Sequence, residues 1–299
     1  MPKFKPGESD KLYLPQEGEI LGIVDQMFGF DRVRVRCRDG RIRNCRIPGK
    51  LRKRMWVREG DVVVVKPWPV QGEERADIVF ATSRNLTEHL RQFNGNTFFL
   101  PNAADVELFA EASSDDMPPH PSMAGIPHPI IGFTGMIDNR IDVDLISRLA
   151  AEHPDWSLVL IGGVKRQYID ISPLQRFDNI CFLGMQKVED LPRFMRSFDV
   201  CLIPYLITEE VKNIYPLKLH EYLATGKPIV TTDMPELRPY GELIYISRDH
   251  DEFERNVELA LAEEGDDLRR RRMGTARRNT WDSRIAFMSR KIEELLEGR

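Results

Sequence analysis

The chain is poor in the residues from which metal centres, disulfide frameworks and membrane spans are built. Its 299 residues include four cysteines, Cys37, Cys45, Cys181 and Cys201, and six histidines. No two cysteines form a CxxC pair and none joins a histidine cluster, so no metal site or disulfide framework is expected. Each cysteine lies in an apolar, strand-like context and reads as a small buried hydrophobe. No apolar run reaches the roughly 18 residues of a membrane span. The polar N-terminus, with Pro2, Lys3, Lys5 and Pro6, lacks the apolar core of a signal peptide, and the expected setting is cytoplasmic. Neither a GxGxxG nor a Walker loop is present, so neither NAD nor ATP is favoured.

Acidic residues are also missing from one stretch. Arg32 to Arg54 contains eleven Lys or Arg and a single acid, Asp39. Residues 1–79 carry 17 Lys and Arg against 12 Asp and Glu, net +5, whereas residues 80–299 carry 26 against 35, net −9. The chain thus reads as two modules of opposite charge, and 41% hydrophobic with 30% charged content is ordinary for globular protein.

In the first module, Val33, Val35 and Cys37 alternate with arginines at the even positions 32 to 38. A strand places these two sets on opposite faces. Asp39-Gly40 predicts a two-residue hairpin turn. Apolar runs at 20–27, 33–37, 42–47, 62–65 and 76–82, separated by Gly, Pro and Asp, predict five strands and a small OB-fold barrel with a cationic, nucleic-acid-binding face. Trp56 follows the basic loop 47–55 and either stacks on a base or ribose or packs inward beside Met55 and Val57.

Residues 18–68 resemble the archaeal and eukaryotic translation initiation factor 1A family. GRIRNCRIPGK, RKRMWVREGD and VKPW match in order and spacing. The resemblance implies an OB fold in the decoding A site of the small ribosomal subunit, with ribosomal RNA and other initiation factors as partners and no catalysis. It implies Arg41, Arg46, Lys50, Arg52, Lys53, Arg54 and Trp56 as RNA contacts, supported by Arg34 and Arg36.

From Ser83 onward, apolar strands alternate with amphipathic helices. Strands are predicted at 97–100, 130–133, 158–161, 180–183, 200–203, 228–232 and 243–246, and helices at 142–152, 190–197 and 217–224. Proline-rich residues 110–129 read as a linker or mobile loop. The pattern predicts a doubly wound parallel sheet, giving a β + α/β two-domain chain: an OB domain at 1–79, a connecting segment at 80–129, and a Rossmann-like domain at 130–299. Ligands of such sheets bind at the carboxyl ends of strands, where the candidate turns are 133–136, 161–163 and 183–184.

Residues 213–230, together with 101–105, 182–184 and 199–204, resemble the donor-binding half of family 4 GT-B glycosyltransferases. That resemblance implies a UDP- or GDP-sugar ligand, with no other cofactor. Glu221, the second glutamate of an E-x7-E pattern, would hold the ribose. The amides of Leu217 and Lys218 would meet the diphosphate, Gly135 and Gly184 would admit it, and Arg140 or Lys218 would supply positive charge. Asn213 stands at the position of the first glutamate. A GT-B enzyme has two Rossmann domains, and only the tail of the first, about 76–100, is expected here. The tetrapeptide 76–79 fits both families, as a fusion joined there would leave it. The expectation is an RNA-binding factor fused to a donor-binding domain; the alternative is a retaining glycosyltransferase acting on an unknown acceptor.

In the C-terminal part, Arg269 to Arg272 follow Asp266 and Asp267 and predict a solvated, ion-paired helix face. Trp281, Ile285, Met288, Ile292 and Leu295 form an apolar stripe expected to be partly exposed. His220 is expected to point away from Glu221.

Overall fold

A computed structural model describes residues 20–27, 32–46, 62–65 and 79–297. The chain divides into two compact units: the first runs to Val79 and includes Arg91–Phe98, and the second comprises Phe80–Leu90 and the residues from Phe99 onward.

Four antiparallel strands build the described part of the first unit: β1 (Ile20–Met27), β2 (Arg32–Cys37), β3 (Ile42–Arg46) and β4 (Val62–Val65), in the order β3-β2-β1-β4. Val24, Val33, Val35, Cys37 and Val65 are buried together, with Ile20 and Cys45 packed against them. Fully burying a Val contributes roughly 1.5–3 kcal/mol, so this face fixes the register: a one-residue slip would bury the arginines instead. Arg36 lies on the opposite face, 66% exposed, and reaches Asp25 at 2.5 Å beside an irregularity in β1.

The hairpin differs from its sequence expectation in two ways. The Cys37 amide donates to the Arg41 carbonyl and the Gly40 amide to the Cys37 carbonyl, leaving three residues in the connection rather than two. Gly40 alone has a positive φ, +71°, as in three-residue hairpins that end on a left-handed residue. Asp39 holds this loop by accepting from the Arg41 amide and from both terminal nitrogens of Arg43. On β3 the faces are reversed: Arg43 is in register with Val35, and Ile42 is in register with Arg36 and 60% exposed. The predicted fifth strand exists as β5 (Val79–Ala81). Its hydrogen bonds run from the Val79 amide to Asn96 and from the Leu100 amide to Ala81, rather than to β1–β4.

Beyond β5 come α1 (Arg84–Arg91), β6 (Thr97–Phe99) and α2 (Val106–Ala110). The second unit then alternates as β7 (Ile130–Thr134), α3 (Val143–Glu152), β8 (Ser157–Ile161), β9 (Ile180–Gly184), α4 (Leu191–Met195), β10 (Val200–Ile203), α5 (Lys218–Thr225), β11 (Ile229–Thr232) and β12 (Tyr245–Ser247). It ends in α6 (His250–Leu261), α7 (Asp267–Arg277) and α8 (Trp281–Glu297). Six parallel strands order as β12-β11-β10-β7-β8-β9. Every residue of β7, β8 and β10 is buried, as strands covered on both faces must be. Asp105, Asp142 and Asp249 accept from amides in the first turns of α2, α3 and α6, and left-handed Gly226 (φ +74°) ends α5.

Residues 110–129 are not a loose linker. Ala112 and Met123 are buried, the His120 ring stacks on Phe194 at 3.9 Å, and the carbonyl of Ser114 accepts from Arg196. The arginine run on α7 is sorted by the helical rotation of about 100° per residue. Arg269 and Arg271 are solvated and ion-paired as expected. Arg272, by contrast, is fully buried and doubly bonded to Glu263 at 2.5 and 2.6 Å, and also donates to the Leu243 carbonyl. The stripe on α8 is partly exposed at Trp281, Ile285 and Ile292. No helix among the described residues is long and apolar enough to cross a membrane.

Removing one member of a buried ion pair strands the other's charge, at roughly 3–5 kcal/mol. Arg272→Ala is therefore expected to destabilise the second unit by about that much in urea unfolding of the full chain, and Arg271→Ala by less than about 1 kcal/mol. Equal effects would contradict the sorting of the run.

Candidate functional site

Two groups of residues carry chemistry. In the first unit, Arg34 and Arg36 share the face of β2 opposite the core, and Arg41 is exposed at the start of the return strand. Arg46 ends β3 in register with Arg32. Lys50, Arg52, Lys53, Arg54 and Trp56 lie outside the described residues.

In the second unit the strand order reverses between β7 and β10, and an open parallel sheet takes its ligand at the carboxyl ends of such a pair. Strand β7 runs into Gly135 (φ +134°), β8 into Gly162 (φ +151°), and β9 ends at Gly184 (φ +67°). The Gly135 amide donates to the Ile161 carbonyl and the Gly162 amide to the Gly184 carbonyl, both at 2.8 Å. A Cβ on Gly162 would stand 1.8 Å from the Gly135 carbonyl oxygen, so the backbones meet here only because a side chain is missing.

Lys218 lies above Gly135: a Cβ on that glycine would be 3.2 Å from Nζ. Lys218 opens α5 and is only 8% exposed. Its ammonium donates to the Tyr205 hydroxyl at 2.5 Å and lies 5.1 and 4.8 Å from the ring centroids of Phe133 and Tyr205. Among the described residues it makes no ion pair with a carboxylate. The amides of Leu217 and Lys218 have no acceptor among the described residues and form the positive end of α5. Tyr222 ties the helix to the strand end, its hydroxyl accepting from the Thr134 amide at 2.8 Å.

Glu221 lies one turn into α5, half-buried, and no hydrogen bond or ion pair takes its carboxylate among the described residues. Burial pushes its pKa up, opposed by the Lys218 charge. Arg140, expected to be available for an anion, is committed instead: Nε and Nη2 bond Asp138 at 2.8 and 2.7 Å. Asn213 is also engaged, donating to the Glu209 carbonyl and accepting from Asn85 at 2.9 Å. His220 turns away from Glu221 to the Tyr215 hydroxyl at 2.8 Å, and burial holds its pKa near 3, so it is neutral.

Two residues that the sequence reading did not single out belong to this region, and a third, Glu236, carries a buried carboxylate in the same unit. Tyr205 follows the quoted segment 199–204, Tyr222 lies inside the segment 213–230, and both fix the position of Lys218 or α5. Glu236, for which the sequence offers no signal, is buried with Oε1 accepting from the Arg84 amide and Oε2 without a partner; burial pushes its pKa up. No group of three or more His, Cys, Asp or Glu that could hold a metal is found among the described residues.

Residues 9–99 match the family described as translation initiation factor 1A / IF-1. The translation initiation factor 1A of Methanopyrus kandleri is 56% identical over 82 residues, which cover 27% of this chain and 73% of that protein. The chain belongs to the translation initiation factor 1A family. Its counterpart from Methanothermobacter thermautotrophicus is 51% identical over 85 residues, 28% of this chain and 86% of that protein. The membership rests on the N-terminal part, an OB-fold domain, and a second domain is fused behind it. Residues 128–263 match the glycosyl transferases group 1. The fold resembles sucrose-phosphate synthase from Thermosynechococcus elongatus (TM-score 0.60, 22% identity), covering 76% of this chain and 60% of that one. It also resembles Anabaena HepE in complex with UDP-glucose (TM-score 0.56, 15% identity), covering 74% and 64% respectively. The chain thus spans under two thirds of the length of these structures, and the second domain has the GT-B-like parallel-sheet fold.

A carboxyl group whose folded pKa is raised costs stability once pH exceeds that pKa and costs nothing below its unfolded value near 4.3. Glu221→Gln is expected to raise the melting temperature at pH 7, with the gain shrinking towards pH 4. A variant less stable than wild type at pH 7 would show that the carboxylate is satisfied in the folded chain.

Proposed function

We propose that the first domain binds RNA of the small ribosomal subunit through the outer face of its hairpin, in company with other initiation factors, and that the second holds a nucleoside diphosphate sugar. The observation carrying the first part is the segregation of Arg34 and Arg36 from buried Val33, Val35 and Cys37. A cationic face kept in place by its own core neutralises phosphates without ordering cost. On the reading from family resemblance, the arginines and lysines from Lys50 to Arg54, with Trp56, would add RNA contacts.

The second part rests on Lys218. A buried ammonium that, among the described residues, bonds a phenol, faces two rings and makes no ion pair is suited to an anion, and the adjoining amides of Leu217 and Lys218 point to the same occupant. Glu221, one turn on, would accept from vicinal ribose hydroxyls, while Gly135, Gly162 and Gly184 leave room for the diphosphate. Arg140 supports the pocket wall through Asp138 and Tyr205 rather than meeting phosphate. UDP and GDP are both admissible carriers. Retaining transfer needs an acceptor site in addition, which none of these residues supplies, so donor binding is the function proposed. The working domain division is 1–79, a packed connection at 80–129, and 130–299.

Two measurements test these parts separately. Reversing Arg34 and Arg36 to Glu is expected to weaken binding to archaeal small subunits and to lower the slope of log K against log salt by about 1.5, at roughly 0.7–0.9 per lost phosphate contact; unchanged affinity and slope would refute the RNA reading. In calorimetric titration of the full chain with UDP- and GDP-sugars, Glu221→Ala is expected to weaken binding at least about tenfold, a charged hydrogen bond being worth roughly 1.5–3 kcal/mol. A wild-type chain that binds none of them would refute the donor reading.

A further inference from the structure

A second concentration of unneutralised positive charge lies on the second unit, away from the strand ends. A groove enclosing about 740 Å³ runs between α7 and the short helix 235–240 and is lined by Arg238, Arg270, Arg271 and Arg278, with Glu242 as its one acid. Arg238 is held by Asp233 through two bonds at 2.7 and 2.8 Å. Arg271 shares its charge with Glu242 at 3.0 Å, but that carboxylate is itself 89% exposed and neutralises it only weakly. Arg270 makes no ion pair among the described residues, and Arg278 donates only to the Thr275 hydroxyl.

The spacing gives these charges a direction. Positions 270, 274 and 278 each advance the helix by about 40° beyond a full turn, so Arg270 and Arg278 lie about 12 Å apart along its axis and about 80° apart around it. Gly274 stands between them, with nothing within 4 Å of where its Cβ would be. The floor of the groove is therefore bare backbone, open to an extended ligand. Arg272 takes the inward charge of the run to Glu263, Arg269 pairs with Asp266, and Arg271 pairs with Glu242 and, at 4.0 Å, Asp267, which leaves Arg270 and Arg278 without an ion pair among the described residues.

We propose that this groove is a second nucleic-acid contact, taking successive backbone phosphates of single-stranded RNA. Open, with guanidinium groups spread over two helical turns, it fits a chain of phosphates better than one enclosed anion. An RNA strand is also the polyanion for which the chain already carries a basic module. The choice of RNA rests on the reading of the hairpin, but the groove uses none of the residues assigned there or to the nucleotide sugar, so the readings fail distinguishably.

The test is fluorescence anisotropy of the full chain with a short labelled oligouridylate across a range of salt. Arg270→Gln with Arg278→Gln is expected to lower the slope of log K against log salt by about 1.4, roughly 0.7 per contact on single strands. Arg270→Lys with Arg278→Lys should retain the slope, because a point charge suffices for a phosphate. The same decrement is expected in the background of Arg34→Glu with Arg36→Glu, so a failure of the hairpin reading and a failure of this one give different patterns. Unchanged affinity and slope in the Gln variant would overturn the proposal. So would polyglutamate binding that falls with these substitutions while oligouridylate binding does not, which would assign the groove to an acidic protein.

Discussion

The second domain is organised around a buried cation that makes no ion pair among the described residues, with the Glu221 carboxylate one turn on near enough to feel its charge. Lys218 is buried at the start of α5 against the Tyr205 hydroxyl and two aromatic rings, directly over the turn in which Gly135 meets Gly162. Taking an ammonium out of water costs several kcal/mol, and a phenol with two quadrupoles returns only part of that. The surrounding structure meets the deficit with stiffness: Tyr222 pins α5 to the end of β7, and Asp138 with Arg140 braces Tyr205. The strand order reverses at the same place, so the topology leaves a crevice where the charge is unsatisfied. On the donor-binding reading the missing anion is the diphosphate, and the folded chain stores part of its binding energy as an unpaired lysine.

The first domain solves the opposite problem. Its charges are exposed and numerous, and what they lack is a fixed arrangement. Five buried apolar side chains on three strands supply it, with Asp39 tying the turn to Arg43. Because strand faces alternate, the core and the cationic surface are set by the same register, and neither can shift without the other. The two domains therefore use positive charge differently: one displays it on a surface, and the other buries Lys218 at a strand end.

Most of this was legible from local pattern. The alternation in β2 was visible because its period is two, and β7, β8 and β10 because they are apolar runs ending at a turn residue, Gly135, Gly162 and Pro204 respectively. Pairings set by distant residues were not visible. Nothing near Arg272 in sequence distinguishes it from Arg271, since its partner Glu263 lies nine residues back, across the turn between α6 and α7. Arg140 read as a free charge until Asp138 folded back on it, and Asn213, read at the position of the first glutamate, is taken up by Asn85 from α1. The turn at Asp39-Gly40 gained a residue because Arg38 joined the loop, a choice made by hydrogen bonds at Cys37 and Arg41 that the dipeptide does not encode. Residues 110–129 look loose by their prolines, yet they are packed through His120, Ala112 and Met123.

The most direct test of the uncompensated lysine is thermal unfolding of the full chain and of Lys218→Met, each with and without UDP- and GDP-sugars. If the cation awaits an anion, the substitution leaves the ligand-free chain as stable as wild type or more so, and a nucleotide sugar raises the melting temperature of the wild type alone. A ligand-free variant several degrees less stable than wild type, with no ligand shifting either chain, would make Lys218 a structural residue and remove the basis for a donor site.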